Sequence, residues 1–278
     1  MRKIAIINQK GGVGKTTTAV NLSAALAEAG QRVWLIDLDP QAHASLHLGL
    51  SLPDDAPSMY DVLTGDCPIQ DVIHSAESDL WISPSHIDLA AAEMELAGEV
   101  GREIILRDAM AEVSQEFDYI ILDCPPSLGV LTLNALTAAD EVFLPLQPHF
   151  LALHGLSKLL TTIELVARRL NPGLVLSSVL YCMFDSTRLA SEVIGDVEQF
   201  LNDERDSNSV WSHAYSFDTR IRRNIRLAEA PSYGQSIFHY AASSNGAQDY
   251  RSLAMEVVQQ IKEETGPNAH SLSMAHPH

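Results

Sequence analysis

The chain has 278 residues, and its 36 acidic side chains outnumber its 18 basic ones, for a formal net charge of −18. With 46% hydrophobic and 19% charged residues it has ordinary globular composition and length enough for a sizeable core, which excludes a largely disordered chain. The acidic balance argues against a general nucleic-acid coat or an anionic-membrane binder, because both need a positive footprint.

Read in chain order, short β-branched runs alternate with longer helical patterns. Lys3–Asn8 is a predicted strand, too short in its apolar part (Ile4–Ile7) to serve as a signal-peptide core. A glycine loop follows and opens a helix over Lys15–Ala29, which Gly30 ends as a left-handed cap. Arg32–Asp37 is the second strand. Residues 40–58, with Pro40, Pro53 and Pro57 and few periodic apolar residues, read as a mobile loop region. Strands follow at Leu80–Ser83, Tyr119–Asp123, Glu141–Leu146 and Leu174–Tyr181. Between and after them lie helices at Ile87–Ala97, Glu103–Ser114, Leu131–Ala138, Leu153–Leu170 and Ser191–Leu201. The last firm helix is Gln248–Lys262, whose Leu253, Val257, Val258 and Ile261 fit one core-packing face. Its glutamates make it a poor anchor for anionic lipid.

The strands are apolar nearly throughout, as strands buried on both faces are. The alternation implies right-handed crossovers and an α/β fold, a doubly wound, mostly parallel sheet with helices on both faces. The expected organisation is one domain over residues 1–264 and a flexible C-terminal tail over 265–278. Cys67, Cys124 and Cys182 are widely spaced and form no CxxC pair, so neither a disulfide framework nor a zinc site is expected. The longest apolar-biased run, near Leu174–Phe184, falls short of the roughly 20 residues of a membrane helix. These features predict a cytoplasmic protein that does not bind membranes.

The strongest signal is Lys10-Gly11-Gly12-Val13-Gly14-Lys15-Thr16-Thr17, placed between a strand and a helix. Glycines let backbone N–H groups turn inward, and a helix N-terminus favours negative charge, so this context suits a phosphate cradle. Lys15 is placed to reach the β- and γ-phosphates of a nucleotide, and the Thr16 hydroxyl to complete a Mg2+ shell. Gln9 occupies the first glycine position of the usual pattern. Lys10 cannot easily fold back onto the γ-phosphate of its own subunit. Reaching a nucleotide held by a second subunit is the more economical role.

KGGVGKTT resembles the deviant Walker A motif of the ParA/MinD family of P-loop ATPases. In that family the early lysine contacts the partner's nucleotide in an ATP-sandwich homodimer. Ile36-Asp37-Leu38-Asp39-Pro40-Gln41 resembles the family's switch I, and Ile121-Leu122-Asp123-Cys124-Pro125-Pro126-Ser127 its Walker B strand and switch II. Arg223-Asn224-Ile225-Arg226-Leu227-Ala228-Glu229-Ala230-Pro231-Ser232 resembles the segment that separates the ParA branch from MinD. The resemblance spans about residues 3–262. It implies that Asp39 orients the attacking water, that Asp123 holds Mg2+ through a water, that Asp37 stands behind Thr16, and that Asn224 contacts adenine. It also implies a homodimer when ATP-bound and a stimulating adaptor protein of the ParB kind.

The chain departs from the family in places. The usual PRN reads Arg222-Arg223-Asn224, and QGN reads Gln41-Ala42-His43. His149 and His154 stand where the family has acids. His43 and His47 have metal-ligand spacing, but the residues between lack the Glu of HExxH and no third ligand is indicated, so metal binding there is not expected. A basic helix position of the family's DNA-binding half corresponds to Glu198-Gln199. Arg220, Arg222, Arg223 and Arg226 form a compensating strip that can engage DNA phosphates non-specifically, unless it pairs with Asp218, Glu229 or the nucleotide. Two functions therefore stand: an ATP-dependent, dimerising switch that partitions DNA or positions a large cargo, possible nucleoid association included, or a switch that regulates a protein complex without touching DNA.

Overall fold

The computed structural model describes residues 1–265 apart from 51, 54 and 150–155. An eight-stranded sheet runs in the order β3-β4-β2-β5-β1-β6-β7-β8. Its central strands are β1 (Arg2–Ile6), β2 (Val33–Asp37), β5 (Tyr119–Asp123) and β6 (Glu141–Leu146), with β4 (Leu80–Ser83) and β7 (Val175–Tyr181) outside them. Every pairing is parallel except that of the edge strand β3 (His74–Glu77) with β4; β8 (Tyr215–Ser216) closes the opposite edge.

Successive residues of the central strands alternate between two cores. Ile4, Ile6, Val33, Leu35, Tyr119 and Ile121 pack on one face, and Ala5, Ile7, Trp34, Ile36, Ile120 and Leu122 on the other. That period of two, with both sets apolar, is what makes each strand a continuous hydrophobic run. The first face is covered by α1 (Lys15–Glu28), α10 (Ile237–Ala241) and α11 (Asn245–Thr265), whose Leu253 and Val257 are fully buried. The second is covered by α3 (Met59–Thr64), α4 (Leu89–Glu95), α5 (Ile105–Met110), α6 (Val130–Ala138), α7 (Leu156–Arg169) and α8 (Arg188–Asp203). Gly30 follows the first helix at φ +80°, as expected of its cap. No helix among the described residues is long and apolar enough to cross a membrane.

The predicted loop over 40–58 is partly ordered. Ala42 takes a left-handed conformation (φ 51°) and α2 (His43–His47) follows it, because Asp37 accepts hydrogen bonds from both the amide and the hydroxyl of Ser45. Ser58 and Asp61 then form a reciprocal cap for α3. The predicted helix over 103–114 shortens to α5, and the short elements β3, β8, α9 (Ile225–Glu229) and α10 add to those predicted. The start of the helix predicted from Leu153, His154 and the tail beyond Thr265 lie outside the described residues.

Candidate nucleotide-binding site

The glycine loop is held at both ends before any ligand is considered. Asn8 Nδ2 donates to the Pro145 carbonyl at 2.7 Å, and Asn8 Oδ1 accepts the Lys10 amide at 2.9 Å. Val13, 2% exposed, plugs the loop into the protein. Gly12 and Gly14 take φ +71° and +101°, a region that costs L-residues roughly 1–2 kcal/mol. A Cβ on Gly14 would lie 3.4 Å from Cys182 Cβ, whereas among the described residues nothing lies within 4 Å of one on Gly12. Backbone conformation therefore demands glycine at both positions. The space over Gly12 is a cradle that a side chain would fill. Among the described residues no side chain caps the N-terminus of α1, so its first amides are available to an anion.

A cavity of about 410 Å3 opens here, with Gly12, Gly14 and Thr17 on one side and Met183, Asn224 and Tyr250 on the other. Its size suits a nucleoside. Tyr250, fully buried, reaches Thr18 Oγ1 at 3.2 Å and so ties α11 to α1 beneath the loop. Asn224 caps α9, its Oδ1 accepting the Arg226 amide at 2.9 Å.

At the carboxyl ends of β2 and β5, Asp37 and Asp123 sit in direct register, and both are fully buried. Burial pushes the Asp37 carboxyl up to about 6, against hydrogen bonds from Ser45 and the Asp39 amide, with Asp39's charge adding to the rise. Burial also raises the Asp123 carboxyl well above the usual range, and the Asp37 charge adds to it. Thr16 and Lys15 oppose that rise, yet among the described residues no donor meets either Asp123 oxygen in hydrogen-bond geometry. Asp39 is 9% exposed and its Oδ1 accepts the Gln41 amide at 3.0 Å. Lys15 is buried, which lowers its ammonium from the ordinary lysine value, while Asp123 and Asp39 pull it back up.

This donor set fits a hard divalent cation. Two buried carboxylate oxygens lacking a donor, facing a threonine at the start of a helix, suit Mg2+ that takes its remaining oxygens from water and phosphate. No group of three or more His, Cys, Asp or Glu that would hold a metal alone occurs among the described residues. The two histidines of α2 differ in burial: His43 is exposed, while His47 is 2% exposed and burial drops its imidazole to about 4.

The other predicted residues sort differently. Lys10 is exposed, and its ammonium meets Nε2 of His149, on the chain just after β6. Three of the four strip arginines are paired with carboxylates. Arg222 binds Asp249 at 2.6 Å, Arg223 binds Asp185 at 3.0 Å, and Arg226 binds Glu229 at 2.8 Å. Arg220 stacks over Phe184, 5.0 Å from the ring centroid. Of the acids expected as their partners, Glu229 is one; Asp218 instead gives its amide to Glu256. Arg222 and Arg223 also border the nucleotide-sized cavity. Sequence reading missed Cys182, Met183 and Tyr250, each far along the chain from the glycine loop. Met183's left-handed backbone (φ 49°) has no signature in an isolated methionine.

A parallel sheet whose first strand feeds a glycine loop and helix, with a buried carboxylate ending the adjacent strand, defines a P-loop nucleotide-hydrolase fold. A family model described as an AAA domain matches residues 1–176. The sporulation initiation inhibitor protein Soj of Bacillus subtilis is 46% identical over 256 residues, 91% of this chain and 97% of that one. The chromosome partitioning protein ParA of Myxococcus xanthus is 44% identical over 259 residues, 92% of this chain and 88% of that one. A crystal structure of Mycobacterium smegmatis cobyrinic acid a,c-diamide synthase with bound ADP and magnesium superposes with a TM-score of 0.78 at 38% identity, covering 94% of this chain and 96% of that one. The chain belongs to the ParA/Soj family of P-loop ATPases.

Proposed function

We propose that this protein is an ATP-dependent switch that partitions DNA, acting in the cytoplasm as one ATPase domain over residues 1–264. The observation that carries the reading is the donor-free Asp123 carboxylate facing Thr16 and Lys15 beside the cradle at Gly12 and Gly14. The partitioning role is supported by the names of the Bacillus subtilis and Myxococcus xanthus relatives and by their coverage of nearly the whole chain.

The roles follow from charge and position. Gly11, Gly12, Val13, Gly14, Lys15, Thr16 and Thr17 wrap the phosphates of ATP, and Asn224 meets the base across the cavity. Mg2+, held by Thr16 and through water by Asp123, supplies neutralisation of the phosphate charge. Lys15 adds a cation from the helix side, and Asp39 orients the attacking water. Phosphoryl transfer to water needs little else beyond positioning and charge. Lys10 reaches the nucleotide of a second copy, which makes the ATP-bound form a homodimer. A ParB-like or other adaptor protein stimulates slow hydrolysis.

A second reading is a switch that acts on a protein complex without DNA. The pairing of Arg222, Arg223 and Arg226 with Asp249, Asp185 and Glu229 favours it, because each of those cations already has a carboxylate partner. Retention on non-specific DNA with Mg2+ and ATP at graded salt separates the two. Partitioning predicts retention at low salt that falls steeply with salt and drops several-fold in Arg223→Ala/Arg226→Ala. A wild-type protein that dimerises with ATP yet is never retained removes the DNA step. Capture of a DNA-free protein partner by Asp39→Ala would then establish the second reading.

A further inference from the structure

We infer that Gly49 and Gly234 form a backbone crossing that sets the position of Asp39 from the base side of the nucleotide site. Gly234 is thereby a positioning residue for hydrolysis, a reading that rests on the water-orienting role proposed for Asp39. Both glycines are left-handed, at φ +69° and +62°, and each ends a helical stretch with the same pair of bonds. After α2 the Leu50 amide donates to the Ser45 carbonyl and the Gly49 amide to the Leu46 carbonyl, both at 3.0 Å. The turn Ala230–Tyr233 continues α9. After it the Gln235 amide donates to the Ala230 carbonyl at 3.4 Å and the Gly234 amide to the Pro231 carbonyl at 3.1 Å. The two caps lie against each other. A Cβ on Gly49 would lie 2.8 Å from the Gly234 carbonyl oxygen, and one on Gly234 would lie 2.8 Å from Gly49 Cα. The contact is backbone on backbone, so no rotamer change can relieve it.

The crossing joins parts of the site that the nucleoside-sized cavity leaves apart, since among the described residues none from 37 to 50 lines that cavity. On one side, Ser45 closes the Gly49 cap with its carbonyl, while its amide and hydroxyl donate to Asp37 Oδ2 at 2.9 and 2.8 Å. Asp37 Oδ1 in turn accepts the Asp39 amide at 3.2 Å. On the other side, Gly234 ends the stretch that Asn224 begins by capping α9. That stretch is held from both flanks. Tyr240 donates to Glu229 at 2.9 Å, and its ring stacks with that of Tyr233, 4.9 Å between centroids. The Ile237 amide donates to Oδ1 of buried Asn21 at 2.8 Å, and Asn21 Nδ2 donates to the Thr17 carbonyl at 2.8 Å. Gly234 thus presents to α2 a surface fixed to the phosphate-loop helix. Displacement at the crossing is taken up by α2 and by the Asp37–Asp39 segment tied to it.

The test is the single-turnover rate constant for hydrolysis of ATP with Mg2+ by the full chain, which reports chemistry apart from binding and product release. For an alanine to fit, the caps must part from 2.8 Å to the 3.4 Å of ordinary contact. A misplacement of about 1 Å can cost roughly a hundredfold in rate, so Gly49→Ala and Gly234→Ala should each lose about tenfold. Gly30→Ala is the control, because Gly30 has φ +80° and, among the described residues, nothing within 4 Å of an added Cβ. It carries the backbone strain without the crossing and should hydrolyse ATP at the wild-type rate. Affinity for a non-hydrolysable ATP analogue, read by calorimetry, should be unchanged in all three, since the glycine loop and Asn224 are untouched. A Gly234→Ala rate constant equal to that of Gly30→Ala, with or without a loss of affinity, would overturn the crossing's role. Where the glycine variants fail to fold, exposed Tyr233 offers a milder perturbation. Tyr233→Ala removes the stack on Tyr240 and should slow hydrolysis about twofold or more, while Tyr233→Phe keeps the wild-type rate. Wild-type rates in both would then overturn the role. An Asp39→Ala protein that hydrolyses ATP at the wild-type rate would instead overturn the water-orienting role beneath it.

Discussion

Replacing Asp123 with asparagine should stabilise the ligand-free protein while abolishing Mg2+-dependent ATP hydrolysis. Asp123 and Asp37 are register partners on adjacent strands, and both are fully buried. At about 5 Å and an effective dielectric constant of about 20, two carboxylates repel by roughly 3 kcal/mol. Asparagine is nearly isosteric, keeps an oxygen toward Thr16, and sacrifices no donor that meets Asp123 in hydrogen-bond geometry among the described residues. Losing the attraction of Lys15 offsets part of that relief, so the expected gain at pH 8 is about 1–3 kcal/mol, or roughly 3–8 °C in melting temperature. An unfolded aspartate loses its proton near pH 4. Folded Asp37 keeps its proton to about pH 6, and Asp123 keeps its own well beyond the usual range. The folded state thus binds more protons across that window, so ligand-free stability falls as pH rises through it. At pH 5 the wild-type pair is largely protonated and the advantage of Asp123→Asn should shrink. Thermal or urea unfolding at both pH values, with and without Mg2+ and ATP, measures all of this. An Asp123→Asn protein less stable than wild type at pH 8 without ligand, or one that still hydrolyses ATP with Mg2+, would refute the reasoning.

Gly12→Ala should cost about 1 kcal/mol of stability, from its positive φ alone, while weakening ATP binding at least tenfold by filling the cradle; isothermal titration and denaturant unfolding read the two effects separately. Gly14→Ala, at φ +101° and with Cys182 in contact, should lose about 1–2 kcal/mol and bind ATP poorly. Lys15→Ala should abolish hydrolysis and, by removing a buried cation that balances Asp123, lower ligand-free stability at pH 8. A Lys15→Ala protein with wild-type turnover would remove that residue from the chemistry.

Most of the site was legible because its parts are local. A glycine loop between an apolar strand and a helix is written in eight consecutive residues, Asp37 and Asp123 each end a run that reads as a buried strand, and Asp39 follows two residues after Asp37. The exceptions depend on distant partners. α2 exists because Ser45 reaches Asp37, and its five residues carry too little periodicity to show in sequence. Tyr250 joins the site only when α11 packs on α1, 232 residues from Thr18.

The arginine strip shows the same limit in electrostatic form. Four cations within seven positions read as a phosphate-binding stripe, and on an acidic chain they invite a nucleic-acid role. The fold returns two of them to acids 27 and 38 residues distant, Asp249 and Asp185, and a third to neighbouring Glu229. Arg222 and Arg223 thereby hold the cavity wall that Asn224 belongs to, and any phosphate they meet must compete with a carboxylate already in place. That competition costs more for Arg222, whose partner Asp249 is 9% exposed, than for Arg223, whose partner is 53% exposed. Exposed pairs contribute about 0–1 kcal/mol and exchange readily. Any DNA contact by this chain should therefore run through Arg220, Arg223 and Arg226, with Arg222 left to the nucleotide wall.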